Sequence, residues 1–531
     1  MPWARRVTAP SALILALSLG VVSAQTRPPK DRARDLAILE IQKTIESGNL
    51  PAARERLTAS TKELGSDAGF DNLSGVIEAQ EHHYSAAEAE FKRAIERQPR
   101  FTAAYLNLAR LYQESFSKDS QANEKALAAY DAVLRYEPGN PEATYQSALL
   151  LLEAGKYQAS LTHVSRLPKT ARESAQVLSI SCADYVALGD HKNTSTVLAQ
   201  LLESSDFSEA DVRQVMLGIK SGTHDDVTIA LLEALAKRQQ LPADLEHDLG
   251  LAYAQVGKLD DARSVLEKFA VEHLSVPSLF DVARVAYQQR DYSGALGYLA
   301  HARDLAPDNP SVHYSFGVVC LDLDLIAEAQ NSFEKAVELE PENASYNYAM
   351  GATALFSHDP EKAVPYFKQY LKHNPKDPRG KLAVGIAFFR AKDYDEAAPW
   401  FDQAAKEPAT ATAAHYYLGS LALRMGRVDE ALPQLQSALR AKPDYTDALA
   451  ELGRYYFERR NYDEAEKQLQ RALKLNPDHM AANFYLMSLY TRTRDPRGET
   501  QAKRYDELQK LRDTKVQEFL RTVEIRPFET P

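Results

Sequence analysis

Few residues in this chain are spaced for chemistry, and each has a plainer reading beside it. Ser332 and Lys335 spell Ser-x-x-Lys, which sets a lysine beside a nucleophilic hydroxyl, but the companion motifs of such enzymes are missing. His82 and His83 offer two imidazoles to a metal, although adjacent side chains rarely close a coordination shell alone. His224, Asp225 and Asp226 read as the start of a helix before they read as a ligand set. Asp281 and Glu328 are the carboxylates that acid–base work on a glycan would use, yet no spacing joins them. The chain has no Gly-rich phosphate loop, no His-Glu-x-x-His, no Gly-x-Ser-x-Gly and no Cys-x-x-Cys. No catalytic, cofactor-binding or metal-binding residue is assigned, and the protein is expected not to be an enzyme.

The elements that would position any site are written periodically. Gly317, Gly351, Gly385, Gly419 and Gly453 recur at one fixed interval, and Ala329, Ala363, Ala397, Ala431 and Ala465 keep it twelve places on. Pro341, Pro375, Pro443 and Pro477 close four of these repeats, and Pro408 closes the fifth a residue early. Between Thr446 and Pro477, Leu449, Leu452 and Tyr456, then Tyr462, Ala465, Leu469 and Ala472, recur at helical spacing on two segments. Arg459, Arg460 and Asn461 interrupt them where a turn belongs. Each segment is too short to be stable alone and must bury its stripe against neighbours. A helical Gly costs about 1 kcal/mol relative to Ala. Its regular use therefore implies close helix–helix approach, with the Ala facing it. Pro365, Pro399 and Pro433 fall early in the second segment, where a missing donor is best tolerated.

A small residue at the eighth place, Ala at the twentieth, Phe333, Phe367, Phe401, Leu435 and Leu469 at the twenty-fourth, and Pro near the thirty-second resemble the tetratricopeptide repeat. The alanine register reaches back through Ala295, Ala262, Thr228, Thr194, Ser160, Ala126, Ala87 and Ala53. The expected fold is an all-α, right-handed α-solenoid of about thirteen helix–turn–helix repeats with a C-terminal capping helix. Repeats would begin near Arg34, Ala68, Thr102, Pro141, Ala175, Glu209, Ala243, Val276, Pro310, Ala344, Pro378, Thr412 and Thr446. A polar insertion around Ser115 to Gln121 lengthens one of them. Residues 34–241 form N-terminal repeats that depart from the pattern from 141 onward, and a division near Ser204 to Glu209 is open. Residues 242–479 form the well-formed array, 480–523 the cap and 524–531 a tail. Cys182 and Cys320 take interior places four repeats apart, too distant for a disulfide, and read as small buried hydrophobes.

The resemblance also implies a site. In such arrays the second, fifth, ninth, twelfth and thirteenth places of the first helix line the concave groove. Here they bring Phe280, Tyr314, Tyr348, Leu382, Tyr416 and Phe484 at fifth places. Arg284, Tyr287, Val318, Phe389 and Arg454 follow at the ninth and twelfth, and Arg390 and Arg424 at the thirteenth. Tyr and Arg are enriched where proteins meet, so the expected partner is a protein or peptide lying in this groove. Alanine at Tyr314, Tyr348 and Tyr416 together is expected to weaken binding without unfolding the array. The Lys and Asn set of the carboxylate clamp is absent.

The ends and the charge bound the setting. Residues 1–24 read as a secretory signal, with Arg5 and Arg6 before the apolar run Ala12 to Val22 and small residues up to Ala24. Residues 25–33 form a short leader. The chain carries 63 basic and 74 acidic residues, a formal charge of −11, with no clustered basic face for nucleic acid. No membrane span is expected after cleavage, and the oligomeric state is open. The reading is an exported bacterial repeat protein, periplasmic or extracellular, acting as a non-catalytic interaction scaffold. Two alternatives stand beside it: an accessory subunit of an envelope machine (exopolysaccharide export, pilus or outer-membrane assembly), or a glycan-active enzyme.

Overall fold

The apolar period of the sequence folds into helices that pair through short turns. The computed structural model describes residues 29–116, 119–220, 223–357 and 359–511, which hold 29 helices and no strand among them. The chain divides into two compact units, the N-terminal one ending at Lys258 and the C-terminal one starting at Leu259.

In the N-terminal unit α1 (Pro29–Glu46) pairs with α2 (Leu50–Leu64), and α3 (Ala68–Gln80) with α4 (Tyr84–Arg97). Next come α5 (Thr102–Ser115) with α6 (Ala122–Tyr136), and α7 (Pro141–Glu153) with α8 (Tyr157–Arg166). A single turn, α9 (Lys169–Arg172), precedes the pair α10 (Ala175–Ala187) and α11 (His191–Glu203). The short α12 (Glu209–Met216), then α13 (Asp225–Ala236) and α14 (Ala243–Gln255), complete this unit.

The C-terminal unit opens with α15 (Leu259–Glu272). It continues as α16 (Val276–Gln288) with α17 (Tyr292–Leu305), α18 (Pro310–Asp322) with α19 (Ile326–Leu339), and α20 (Ala344–Phe356) with α21 (Pro360–His373). Then follow α22 (Pro378–Ala391) with α23 (Tyr394–Ala404), and α24 (Pro408–Arg424) with α25 (Val428–Ala441). It closes with α26 (Thr446–Glu458) and α27 (Tyr462–Leu475), then α28 (Met480–Thr493) and α29 (Gly498–Leu511). Within each unit a first helix packs on its own second helix and on the next repeat, which makes an α-solenoid. No helix among the described residues is long and apolar enough to cross a membrane.

Sequence and structure differ at several boundaries. The first helix starts at Pro29, ahead of Arg34. Pro408 does not close a repeat; it is the first residue of α24, where its fixed φ suits a helix start and its missing N–H leaves no bond unmade. Pro365, Pro399 and Pro433 each stand sixth in their helix, past the first turn, and are exposed. The signal segment, the start of the leader, residues 512–523 of the expected cap, and the tail lie outside the described residues.

The close approach expected at the eighth place is real, but its main partner is the twenty-fourth place. A Cβ on Gly317 would lie 2.7 Å from the Phe333 ring, one on Gly351 2.9 Å from Phe367, and one on Gly385 2.7 Å from Phe401. The twentieth-place alanines Ala329, Ala363, Ala397, Ala431 and Ala465 are fully buried beside them. At Gly419 and Gly453 the Leu435 and Leu469 side chains come first and the alanine carbonyl oxygen follows, at 3.3 and 3.5 Å. Each of those rings buries enough apolar area to contribute about 1.5–3 kcal/mol.

Candidate functional site

Within the C-terminal unit the first helices of successive repeats touch along one wall, and polar bonds mark each step. The Tyr287 hydroxyl on α16 donates to Asp322 Oδ2 on α18 at 2.7 Å. Burial and this bond hold the Tyr287 hydroxyl far above its ordinary range, and burial raises Asp322. Ser311 on α18 meets Tyr346 on α20 at 3.1 Å. Arg390 on α22 donates back to the Leu355 carbonyl on α20 at 3.2 Å.

The richest part of the wall spans α22 to α28. Phe389 sits 5.4 Å from Tyr417, 5.7 Å from Tyr394 and 6.2 Å from Phe401, and Tyr417 stacks on Phe401 at 5.0 Å. The Arg424 guanidinium lies over the Phe389 ring at 5.1 Å, within cation–π range. Behind it Glu451, only 6% exposed, accepts from the Ser420 hydroxyl at 3.1 Å and from Arg454 at 3.4 Å. Burial raises the Glu451 carboxyl, against the pull of Arg454 and Arg424. Arg454 also holds Glu458 at 2.8 Å and faces the Tyr485 ring at 5.8 Å. This is a preorganised charged network of the kind that rigidifies a surface only when its members are satisfied.

The thirteen residues expected in the groove divide by burial. Tyr314 (7% exposed), Val318 (3%) and Leu382 (9%) belong to the core. The Tyr314 ring sits 5.1 Å from Tyr346 and 5.8 Å from Phe333, so truncating it removes packing, and the expectation that its alanine variant leaves the array intact is corrected. Phe280, Arg284, Tyr287, Tyr348, Phe389, Tyr416 and Arg454 are half-buried. Tyr348 packs on Phe367 and Tyr370, and Tyr416 on Tyr417 and Tyr445. Arg284 is tied to Asp281 at 2.8 Å. Arg390, Arg424 and Phe484 are exposed, and Phe484 leans on Tyr505 of the capping helix at 5.6 Å.

Sequence reasoning missed Tyr417, Ser420, Glu451 and Tyr485, and with them a comparable wall in the N-terminal unit. There Asn107 donates to Asn72 at 3.0 Å, Arg110 grips Glu142 with two bonds of 2.6 and 2.7 Å, and Gln113 reaches Gln146 at 3.3 Å. Ser179 lies 3.3 Å from both Asp211 and Gln214, and Arg213 pairs with Asp244 at 2.6 Å. The available signal was complementary polar residues about one repeat apart, such as Arg110 with Glu142.

The residues singled out for chemistry are otherwise engaged. Ser332 is buried on α19, and Lys335 reaches Glu338 at 3.4 Å on the same helix. Asp281 serves Arg284, and Glu328 is exposed in the first turn of α19. His224, in the left-handed region, caps the start of α13. His83 does approach two carboxylates: its Nδ1, Glu78 and Glu81 bring donor atoms within 4.8 Å of one another, a metal-like spacing. Arg54 already bonds both carboxylates and holds Glu78 below its usual range, so an ion pair accounts for the cluster. Cys182 and Cys320 are buried, which pushes both thiols up to about 12.

Three sequence profiles described as tetratricopeptide repeat match the chain, one at residues 119–180 and 422–489, one at 247–310 and 348–414, and one at 310–343. Cellulose synthase operon protein C of Xanthomonas axonopodis pv. citri (strain 306) is 32% identical over 90 residues, 17% of this chain and 6% of that one. Among solved structures, a tetratricopeptide repeat protein from Parabacteroides merdae ATCC 43184 aligns with TM-score 0.39 and 16% identity, covering 47% of this chain and 98% of its own. Yeast Tom70 aligns with TM-score 0.32 and 17% identity over 83% of this chain and 99% of its own. With the repeat profiles covering more than half of its length and five successive hairpins of the C-terminal unit closed by a glycine against a Phe or Leu side chain, the chain belongs to the tetratricopeptide repeat family.

Proposed function

We propose that the C-terminal unit is a non-catalytic docking wall for a segment of another protein, which lies across α20 to α28. The observation that carries this is the α22–α24 surface, where exposed Arg390 and Arg424 stand one repeat apart around a half-buried Phe389. An aromatic face bordered by guanidinium groups suits a segment with apolar side chains next to acidic ones. Glu451 and Arg454 brace the wall from behind, so binding would cost little reorganisation. The test is a photo-crosslinking residue at Arg390, Arg424 or Phe484, against the exposed Lys467 of α27 as control, followed by affinity measurement on the captured partner. Charge reversal at Arg390 and Arg424 together is expected to weaken that affinity at least about tenfold, or ~1.4 kcal/mol, with the melting profile unchanged. An unaltered affinity would sink the wall as the binding surface.

A finer reading places the protein outside the cytoplasm as an accessory subunit of an envelope machine. Residues 1–24 support export, and the short match to cellulose synthase operon protein C favours exopolysaccharide export among such machines. An N-terminus at Gln25 in the mature protein, recovered from periplasm or medium, is the expected result; an intact Met1 terminus in the cytoplasm would refute it.

A further inference from the structure

One carboxyl in the N-terminal unit lies where its fold has no charge to offset it. Asp184 on α10 is completely buried, and neither oxygen has a hydrogen-bond partner. It takes the tenth place of its repeat, where Ile77, Leu111, Leu150, Val319 and Ala387 are apolar and buried in theirs. Across the contact between α10 and α8 it meets Ser160, which takes the twentieth place normally held by alanine. A hydroxyl and a carboxyl have thus entered the same seam together.

The Ser160 hydroxyl has one proton for two acceptors. Ser160 Oγ donates to the Ala148 carbonyl at 2.9 Å, and where it turns to Asp184 instead it favours the ionised carboxyl, a pull that burial outweighs. While that proton serves Ala148 an ionised Asp184 is buried without a donor, whereas a carboxylic acid donates to Ser160 Oγ and completes a chain from Asp184 through Ser160 to Ala148. The helices around α10 bring no compensating cation. From α7 come Tyr145 and Glu153, from α8 His163 and Arg166, from α9 Lys169 and Arg172, from α11 His191 and Lys192, and from α12 Asp211 and Arg213. Arg213 is spent on Glu209 and Asp244, Asp211 accepts from Ser208, and the lysines, Arg166, Arg172 and His191 are exposed. His163 has its own Nδ1 buried without a partner, and burial, with Arg166 beside it, lowers its hold on a proton. On another side Gly218 comes so close that a Cβ there would lie 2.2 Å from the Ala183 carbonyl oxygen, which shuts α10 in.

We propose that the seam between α8 and α10 is a proton-operated joint, closed when Asp184 is a neutral acid bonded to Ser160 and loosened when it ionises. Burial pushes this carboxyl up to about 7, far above the ordinary aspartate range. The folded value exceeds the unfolded one, so the stabilisation is full below the ordinary range and is lost as pH rises towards 7. Opening of the joint releases a proton, so its equilibrium grows about tenfold per pH unit from ~4 to ~7 and levels off above.

The experiment is hydrogen–deuterium exchange on the full chain from pH 4.5 to 8, comparing wild type with Asp184→Asn at each pH so that intrinsic exchange cancels. The asparagine donates to Ser160 at every pH. Amides of α8 and α10 are expected to exchange increasingly faster in wild type than in the variant up to about pH 7, and the ratio should then plateau. Should Asp184→Asn fold poorly, Ser160→Ala with Asp184→Ala restores the all-alanine pairing seen at Ala363 and Ala387 and is expected to give the same flat reference. A wild-type to variant ratio that stays constant with pH overturns the proposal, as does a pH-dependent ratio confined to helices other than α7 to α12.

Discussion

The two units build the same kind of wall from different materials. In the N-terminal unit neighbouring first helices are joined by side-chain bonds, from Asn72–Asn107 through Arg110–Glu142 to Arg213–Asp244. In the C-terminal unit rings dominate, with Tyr314 on Tyr346, Phe389 on Tyr417 and Phe457 on Tyr485. Each intramolecular hydrogen bond contributes about 0.5–1.5 kcal/mol net, and an aromatic pair about as much beyond its buried area. The energies are alike, but the geometry is not. A bidentate Arg–carboxylate bond fixes register within narrow limits, while rings tolerate sliding. The N-terminal wall therefore specifies how its repeats stack, and the C-terminal wall supplies an aromatic surface braced by Glu451 and Arg454.

The largest effect should come from the ring locks. Phe401→Ala is expected to destabilise the C-terminal unit by about 3–5 kcal/mol in urea unfolding, because Gly385 leaves nothing to refill the space. The corresponding change in a divergent repeat, Val164→Ala, should cost only about 1–2 kcal/mol. Equal losses would mean that the two stacks do not differ in packing. A double-mutant cycle on Arg110 and Glu142, whose side chains are 15% and 19% exposed, comes next. A coupling of about 1.5–3 kcal/mol is expected for a charged, partly buried pair, and a coupling near zero would show that the N-terminal rungs do not hold its register. Smallest is Gly385→Ala. The added methyl gains up to about 1 kcal/mol of helix propensity but presses on Phe401, for a net loss of about 1 kcal/mol readable as a shift in thermal midpoint.

Much of this molecule was legible in its sequence where the repeat is strict. Five glycines in register with five alanines mark the hairpins of the C-terminal unit, and the helices start where the period says, except where Pro408 begins α24 early. What was not legible depended on the path between side chains. Tyr314 and Phe484 share the fifth place, yet one is core and the other is exposed: Tyr314 packs on Phe333 and on Tyr346 of the next repeat, while Phe484 leans on Tyr485 and on Tyr505 of the capping helix. Nothing in its spacing marks Glu451; Ser420 and Arg454, each set by a different repeat position, make it a buried brace. The facing of glycine and ring, rather than glycine and alanine, likewise follows from where a side chain points, which spacing does not encode.

The glycine–ring lock has one further consequence. Because Gly385 and Phe401 lie in one repeat, that repeat carries its own fastener, as does the one holding Gly351 and Phe367. Such a segment holds its own hairpin closed, while its seat against the next repeat rests on contacts such as Phe401 stacked on Tyr417. Arg110 and Glu142, by contrast, are two halves of a clasp on adjacent repeats, so excising either would orphan the other. Gly75 and Phe91 form the same lock in the N-terminal unit, so losing a repeat from either unit would leave the remaining hairpins fastened while breaking the contacts that join them.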